Sequence, residues 1–231
     1  MNISIYQGND LTVPKADINV IIDVIRAFTV AHYAFIHGVY EIWLAKATEE
    51  AFRLKRSQPD LLLAGEVNGV GVPGFDLDNS PASITTNVQG RTLVQKTTNG
   101  VKATLNSLHA DHVFVTGFSN ARTTANYINH LIEKIQKENI SMNIIASHPT
   151  GDDDLACAEY IRGIILEDQA LPPETVINRI KQAHVAQKFF DPKNNLFNKL
   201  DIDYCTKEVH TPFVMGVKQQ KNIPKIVRID L

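Results

Sequence analysis

Short apolar runs of strand length alternate along this chain with longer segments of helical period, and that rhythm limits the available folds. Val20–Val24, Glu41–Leu44, Leu61–Ala64, Thr92–Lys96, His112–Thr116 and Asn143–Ala146 read as strands. Helices are expected near Val30–Gly38, after a Thr48 cap, and over Val101–Leu108, Ala121–Lys137 (the longest), Asp154–Leu166 and Glu174–Lys188. Such alternation buries a sheet between two helical layers, so the chain is expected to be α/β and three-layered, with a largely parallel or mixed sheet. At 231 residues it can build a substantial core as one region, 1–231, with room for two lobes at about 1–95 and 96–231. The tail from Asp191 is less regular and is expected to wrap back over the sheet, adding a strand near Phe213–Val217.

Charge and apolar patterning exclude several classes of function. The 23 basic and 25 acidic residues nearly cancel, and no basic stripe offers a nucleic acid the clustered Lys and Arg it requires. No apolar run approaches the roughly 20 residues that span a membrane. Residues 1–10 lack the basic and apolar regions of a secretory leader, so a cytoplasmic location is expected. Cys157 and Cys205 make neither a disulfide framework nor a zinc site and read as reduced structural thiols. The histidines show no HExxH or other zinc spacing, and there is no GxGxxG after a strand, no Walker loop and no GxSxG elbow.

Five polar clusters fall at expected strand ends, where ligands bind in parallel sheets. Asp23 and Arg26 could pair a metal ligand or nucleophile with a phosphate clamp, or form a salt-bridged turn. Ile25 stands where an Asp-x-Asp phosphatase would carry its second acid. The Gly65–Gly90 interval interrupts the alternation with five glycines (Gly65, Gly69, Gly71, Gly74, Gly90), and so long a loop is usually functional. Within it Glu66, Asp76 and Asp78 offer hard oxygen ligands suited to Mg²⁺, although Asp78-Asn79-Ser80-Pro81 is also a turn signature. Thr97-Thr98-Asn99-Gly100 and Gly117–Asn120 could form anion sites at helix starts or merely cap them. Asp152, Asp153 and Asp154 suit the positive end of a helix and could equally hold a metal.

Taken together, Asp23-Val24-Ile25-Arg26-Ala27, Leu63-Ala64-Gly65-Glu66, Gly74-Phe75-Asp76-Leu77 with Asn79-Ser80-Pro81, and Thr97-Thr98-Asn99-Gly100 resemble the 2-phosphosulfolactate phosphatase family. Gly117 with Asn120 and Asp153-Asp154 extend the resemblance, which covers about residues 20–165. It implies a Mg²⁺-dependent phosphatase acting on a small anionic phosphomonoester such as 2-phosphosulfolactate. The alternative is a phosphate- or sulfonate-binding protein that keeps the fold without turnover. Carried onto this chain, the resemblance assigns Asp23, Arg26 and Asp76 to catalysis and Asp23, Glu66, Asp76 and Asp154 to the metal. Thr29, Asn79, Ser80, Thr98, Asn99, Gly100 and Asn120 are assigned to the substrate. The expected partner is therefore a phosphorylated small molecule, neither nucleic acid nor membrane, in a chain compatible with a homo-oligomer. Val67 replaces the arginine usual after the motif glutamate, Phe28 a threonine and Asp78 a glycine. The loss at Val67 is expected to weaken recognition of a second anionic group.

Overall fold

The computed structural model describes residues 1–135, 137–220 and 223–231. The strands are β1 (Asn2–Gln7), β2 (Ile18–Ile22), β3 (Glu41–Leu44), β4 (Leu62–Val67), β5 (Val70–Gly71), β6 (Thr92–Lys96), β7 (His112–Thr116), β8 (Ser141–Ala146), β9 (Phe213–Gln220) and β10 (Ile223–Asp230). The helices are α1 (Ala27–Ile36), α2 (Thr48–Ser57), α3 (Gly100–Asn106), α4 (Ala121–Lys134), α5 (Asp152–Leu166), α6 (Pro173–Gln182), α7 (His184–Phe190) and α8 (Leu200–Cys205). No helix among the described residues is long and apolar enough to cross a membrane.

All strands join one mixed sheet in the order β1-β8-β2-β7-β9-β10-β3-β6-β4-β5. One parallel group holds β1, β8, β2 and β7, and a second holds β3, β6 and β4. Between them lies the antiparallel hairpin β9–β10, which meets β7 on one side and β3 on the other. The strands of residues 1–95 are thus shared between both groups. Side chains of β2 alternate between the two faces, as a period of two requires. Ile21 packs with Phe28 and Phe35 of α1, whereas Val20 and Ile22 pack with Ile128 of α4 and Ile161 of α5. With both faces covered, every residue of β2 is buried. The three-layer architecture and mixed sheet agree with the alternation in the sequence.

Several local expectations are revised. The tail adds two strands rather than one, and they enter the middle of the sheet. Strand β1 was not anticipated, although Ile3 and Ile5 alternate as an edge strand should and pack beneath the sheet. The Glu174–Lys188 segment is two helices, because Ala183 adopts an extended ψ of 138° between them. Helix α5, with 15 residues, exceeds α4 with 14. Ala47, not Thr48, occupies the cap of α2, and the Glu50 carboxylate instead accepts the Lys46 N–H at 2.7 Å. Both cysteines are buried free thiols.

Candidate active site

The carboxyl ends of β2, β4, β6 and β8 converge on a cavity of about 380 Å³. Asp23 leaves β2 and is almost fully covered, with 6% exposure. One of its carboxylate oxygens accepts the Ala27 N–H and the other the Gly100 N–H, both at 2.9 Å, so it ties down the starts of α1 and α3. A Cβ on Gly100 would lie 2.7 Å from that carboxylate, and only glycine permits the approach. Glu66 at the end of β4 is also buried and accepts the Thr98 N–H and the Gly69 N–H, each at 2.5 Å. Gly65 precedes it at φ +140°, where a Cβ would meet the Lys96 carbonyl oxygen at 1.9 Å.

Asp153 and Asp154 open α5 after β8 and are buried. Asp154 accepts the Val24 N–H at 2.7 Å, the His148 N–H at 2.9 Å and the Ser147 hydroxyl at 3.0 Å. Asp153 is less satisfied: its Oδ1 has no protein donor among the described residues. Burial, then the neighbouring Asp154, pushes the Asp23 carboxyl up to about 8. Burial and mutual repulsion likewise raise Asp153, through Asp23, and Asp154, through Asp153. Asp23 and Glu66 thus line the cavity, while Asp153 and Asp154 are buried next to it, and Asp23, Asp153 and Asp154 hold their protons more tightly than free carboxyls do. No three His, Cys, Asp or Glu side chains among the described residues close into a ready metal cage.

Two cations, Arg26 and Lys188, line the same cavity. Arg26 directs Nη1 to Asp201 at 2.7 Å and Nη2 to the Gly69 carbonyl at 2.9 Å. Lys188 also lines the cavity and stands 4.5 Å from the Phe197 ring centre. Its ammonium has no carboxylate within ion-pair distance among the described residues. Burial and the nearby Arg26 lower its affinity for the proton.

Of the residues singled out in the sequence, Asp23, Arg26, Glu66, Asn79, Thr98 and Asn99 line this cavity. Asp154 lies beneath it, bonded to the backbone that follows β2 and β8. Gly100 contributes through the N–H given to Asp23, and Ser80 through a 2.5 Å bond to Asp201. Thr29 and Asn120 are buried in the packing behind: Thr29 donates to the Val24 carbonyl and Asn120 joins Thr116 and Thr124. Asp76 lies apart. It pairs with Lys55 at 2.5 Å and accepts the Leu63 N–H at 2.7 Å, bracing the loop against β4. Partial burial alone would raise its carboxyl, but those donors hold it below its ordinary value. Val67 is 41% exposed and lines an adjoining depression with Asp10, Lys46, Lys96 and Lys102, which meets the Asp23 cavity at Asn68 and Thr98 without Val67 lining that cavity. Its side chain therefore does not face the Asp23 cavity.

Sequence reasoning named Asp153 as a possible metal ligand beside Asp154 but passed over His148, Lys188 and Asp201. His148 follows a strand end, the same signal that marked Asp23, and its position could have drawn attention. Lys188 carries no such signal, since only the break at Ala183 turns α7 towards the cavity.

The family model described as 2-phosphosulpholactate phosphatase matches residues 6–220. A relative named probable 2-phosphosulfolactate phosphatase in Bacillus subtilis is 54% identical over 230 residues, covering 99% of both chains. Relatives with the same name occur in Clostridium novyi, 30% identical over 90% of this chain and 91% of theirs, and in Caldicellulosiruptor saccharolyticus, 33% identical over 82% and 84%.

Proposed function

This chain belongs to the 2-phosphosulfolactate phosphatase family, and from that premise we propose that it is a Mg²⁺-dependent phosphomonoesterase of small anionic substrates such as 2-phosphosulfolactate. The carrying observation is one cavity lined both by the buried acids Asp23 and Glu66 and by the cations Arg26 and Lys188. A cation bound among these acids would stabilise their ionised forms and draw a phosphoryl group to the same cavity. The donor set is all oxygen, and the orphaned Oδ1 of Asp153 is a lone pair in need of a partner, so the residues fit Mg²⁺. Mg²⁺ commonly keeps several waters and takes only one or two carboxylates, so a closed protein cage is not required. In this reading Asp23, Glu66 and the Asp153–Asp154 pair hold the ion, and Asp76 is left to its role in the loop. When bound, Mg²⁺ would neutralise phosphoryl charge and activate water.

The chain's own side chains supply the rest. The planar fork of Arg26 matches two phosphoryl oxygens, and Lys188 adds a movable point charge beside it. Asn79, Thr98 and Asn99 line the same space and present neutral dipoles to the ligand. Hydrolysis forms one bond from the water oxygen to phosphorus and breaks the bond to the ester oxygen, which leaves with a proton as the alcohol. The reaction depends on positioning and charge neutralisation more than on covalent participation by the protein.

Release of inorganic phosphate from 2-phosphosulfolactate and phospholactate, with Mg²⁺ and with a chelator, tests the reading. The expected result is Mg²⁺-dependent release from at least one of them. Ligand binding with no release from either would overturn catalysis and favour the non-catalytic alternative.

A further inference from the structure

Asp201 belongs to none of the motifs from which the site was read. It lies on α8 in the irregular tail and is fully buried, with 0% exposure. Its Oδ2 accepts Arg26 Nη1 at 2.7 Å, while its Oδ1 accepts the Ser80 hydroxyl at 2.5 Å and the Ala82 N–H at 3.3 Å. One carboxylate thus binds Arg26, at the start of α1, and the loop that carries Asn79. Asn79 lines the cavity, and its buried Oδ1 has no protein donor among the described residues.

Arg26 is restrained on its other sides too. Nη2 donates to the Gly69 carbonyl, and the guanidinium carbon lies 5.0 Å from the Phe189 ring centre and 5.6 Å from that of Phe197. These bonds occupy only part of a guanidinium's five N–H donors. A buried ion pair is weak evidence of stabilisation, because desolvation offsets the attraction. A pair placed at the wall of an anion site has a better physical rationale as a device that fixes direction.

We infer that Asp201 is a positioning residue, which holds the Arg26 fork and the Asn79 loop in a preformed arrangement for the phosphoryl group. This rests on the reading above that Arg26 receives that group. It makes a prediction opposite in sign to simple electrostatics. Removing a carboxylate beside Arg26 leaves the wall more positive and should tighten anion binding, whereas loss of positioning should weaken it.

The test is the Kd of inorganic phosphate, measured calorimetrically with Mg²⁺ present, for wild type, Asp201→Asn, Arg26→Gln and the double variant. Misplacement of a binding group by about 1 Å can cost about 100-fold, so Asp201→Asn is expected to raise Kd about 10- to 100-fold. In the Arg26→Gln background the same change should have almost no further effect. Tighter binding in Asp201→Asn, or an equal loss in both backgrounds, would overturn the inference, because a general structural role does not act through Arg26. If Asp201→Asn does not fold, nitrogen-15 spectra of the wild type serve instead. Resolved, slowly exchanging Nη–H signals of Arg26 that shift on phosphate addition are expected, and a freely rotating guanidinium would refute the inference. Phosphate binding does not depend on turnover, so absent hydrolysis would defeat the proposed activity without deciding the role of Asp201.

Discussion

Asp23 combines two tasks that a carboxylate rarely performs together. It anchors two helix starts through backbone N–H groups, and burial, with Asp154 nearby, pushes its proton affinity up to about 8. Replacing it with Asn removes the charge and leaves a similar shape, so the fold should survive with some loss at one N–H contact. Phosphate release should fall at least about 100-fold, as expected for loss of one electrostatic contact to the reacting group. Unchanged turnover in folded Asp23→Asn protein would remove Asp23 from the mechanism. At this scale the sequence was informative where a polar residue stands at or just beyond a strand's carboxyl end, as with Asp23, Glu66 and Asn99. It was less informative where chemistry depends on which way a loop folds. Asp76 and Glu66 look equivalent in one dimension, yet Lys55 captures the first while the second faces the cavity. Arg26 was read as a possible salt-bridged turn or a clamp, and its partner Asp201 lies 175 positions away, beyond any local pattern.

Among elements, β4 carries the sharpest geometric demand. It pairs in parallel with β6, and at Gly65 the Lys96 carbonyl oxygen leaves no room for a side chain. Gly65→Ala combines that clash with an unfavourable positive φ, and should cost more than about 1 kcal/mol. In a chain of this length that corresponds to a melting temperature lower by at least about 3 °C. Because Glu66 is the next residue, phosphate affinity should fall as well. A Gly65→Ala protein with wild-type melting temperature and affinity would show that this close approach does not position Glu66. The core strands were legible because continuous β-branched and apolar runs have few alternatives. The break at Ala183 was hidden because alanine favours helix, and only tertiary packing turns α7 towards the site. The Phe213 segment was anticipated as a strand, but its place at the centre of the sheet depends on pairing with β7 and β10, which periodicity does not encode.

For the whole molecule, the buried acids link stability to pH and to Mg²⁺. The proton affinity of Asp23 in the folded chain lies well above the ordinary value of 3.8, and Asp153 and Asp154 are shifted in the same direction. Between about pH 4 and 8 the folded state therefore retains protons that the unfolded state has released. This contribution to stability is present at low pH and is lost as pH rises through that window. In chelator the Asp23 contribution should accordingly decline between pH 5 and 8, and Asp23→Asn should show a shallower decline than wild type. Mg²⁺ should restore stability most at the alkaline end, where the carboxylates are ionised and ready to bind it. Equal pH slopes for wild type and Asp23→Asn in chelator would contradict this linkage. The most direct test of the site is a crystal structure with Mn²⁺ substituting for Mg²⁺ and inorganic phosphate added, the ion being identified by its anomalous signal. The account predicts an ion bound by Asp23, Glu66 or the Asp153–Asp154 pair, directly at about 2.0–2.6 Å or through one water, with phosphate between it and Arg26. An ion and phosphate bound elsewhere, with these acids contacting only protein, would contradict it.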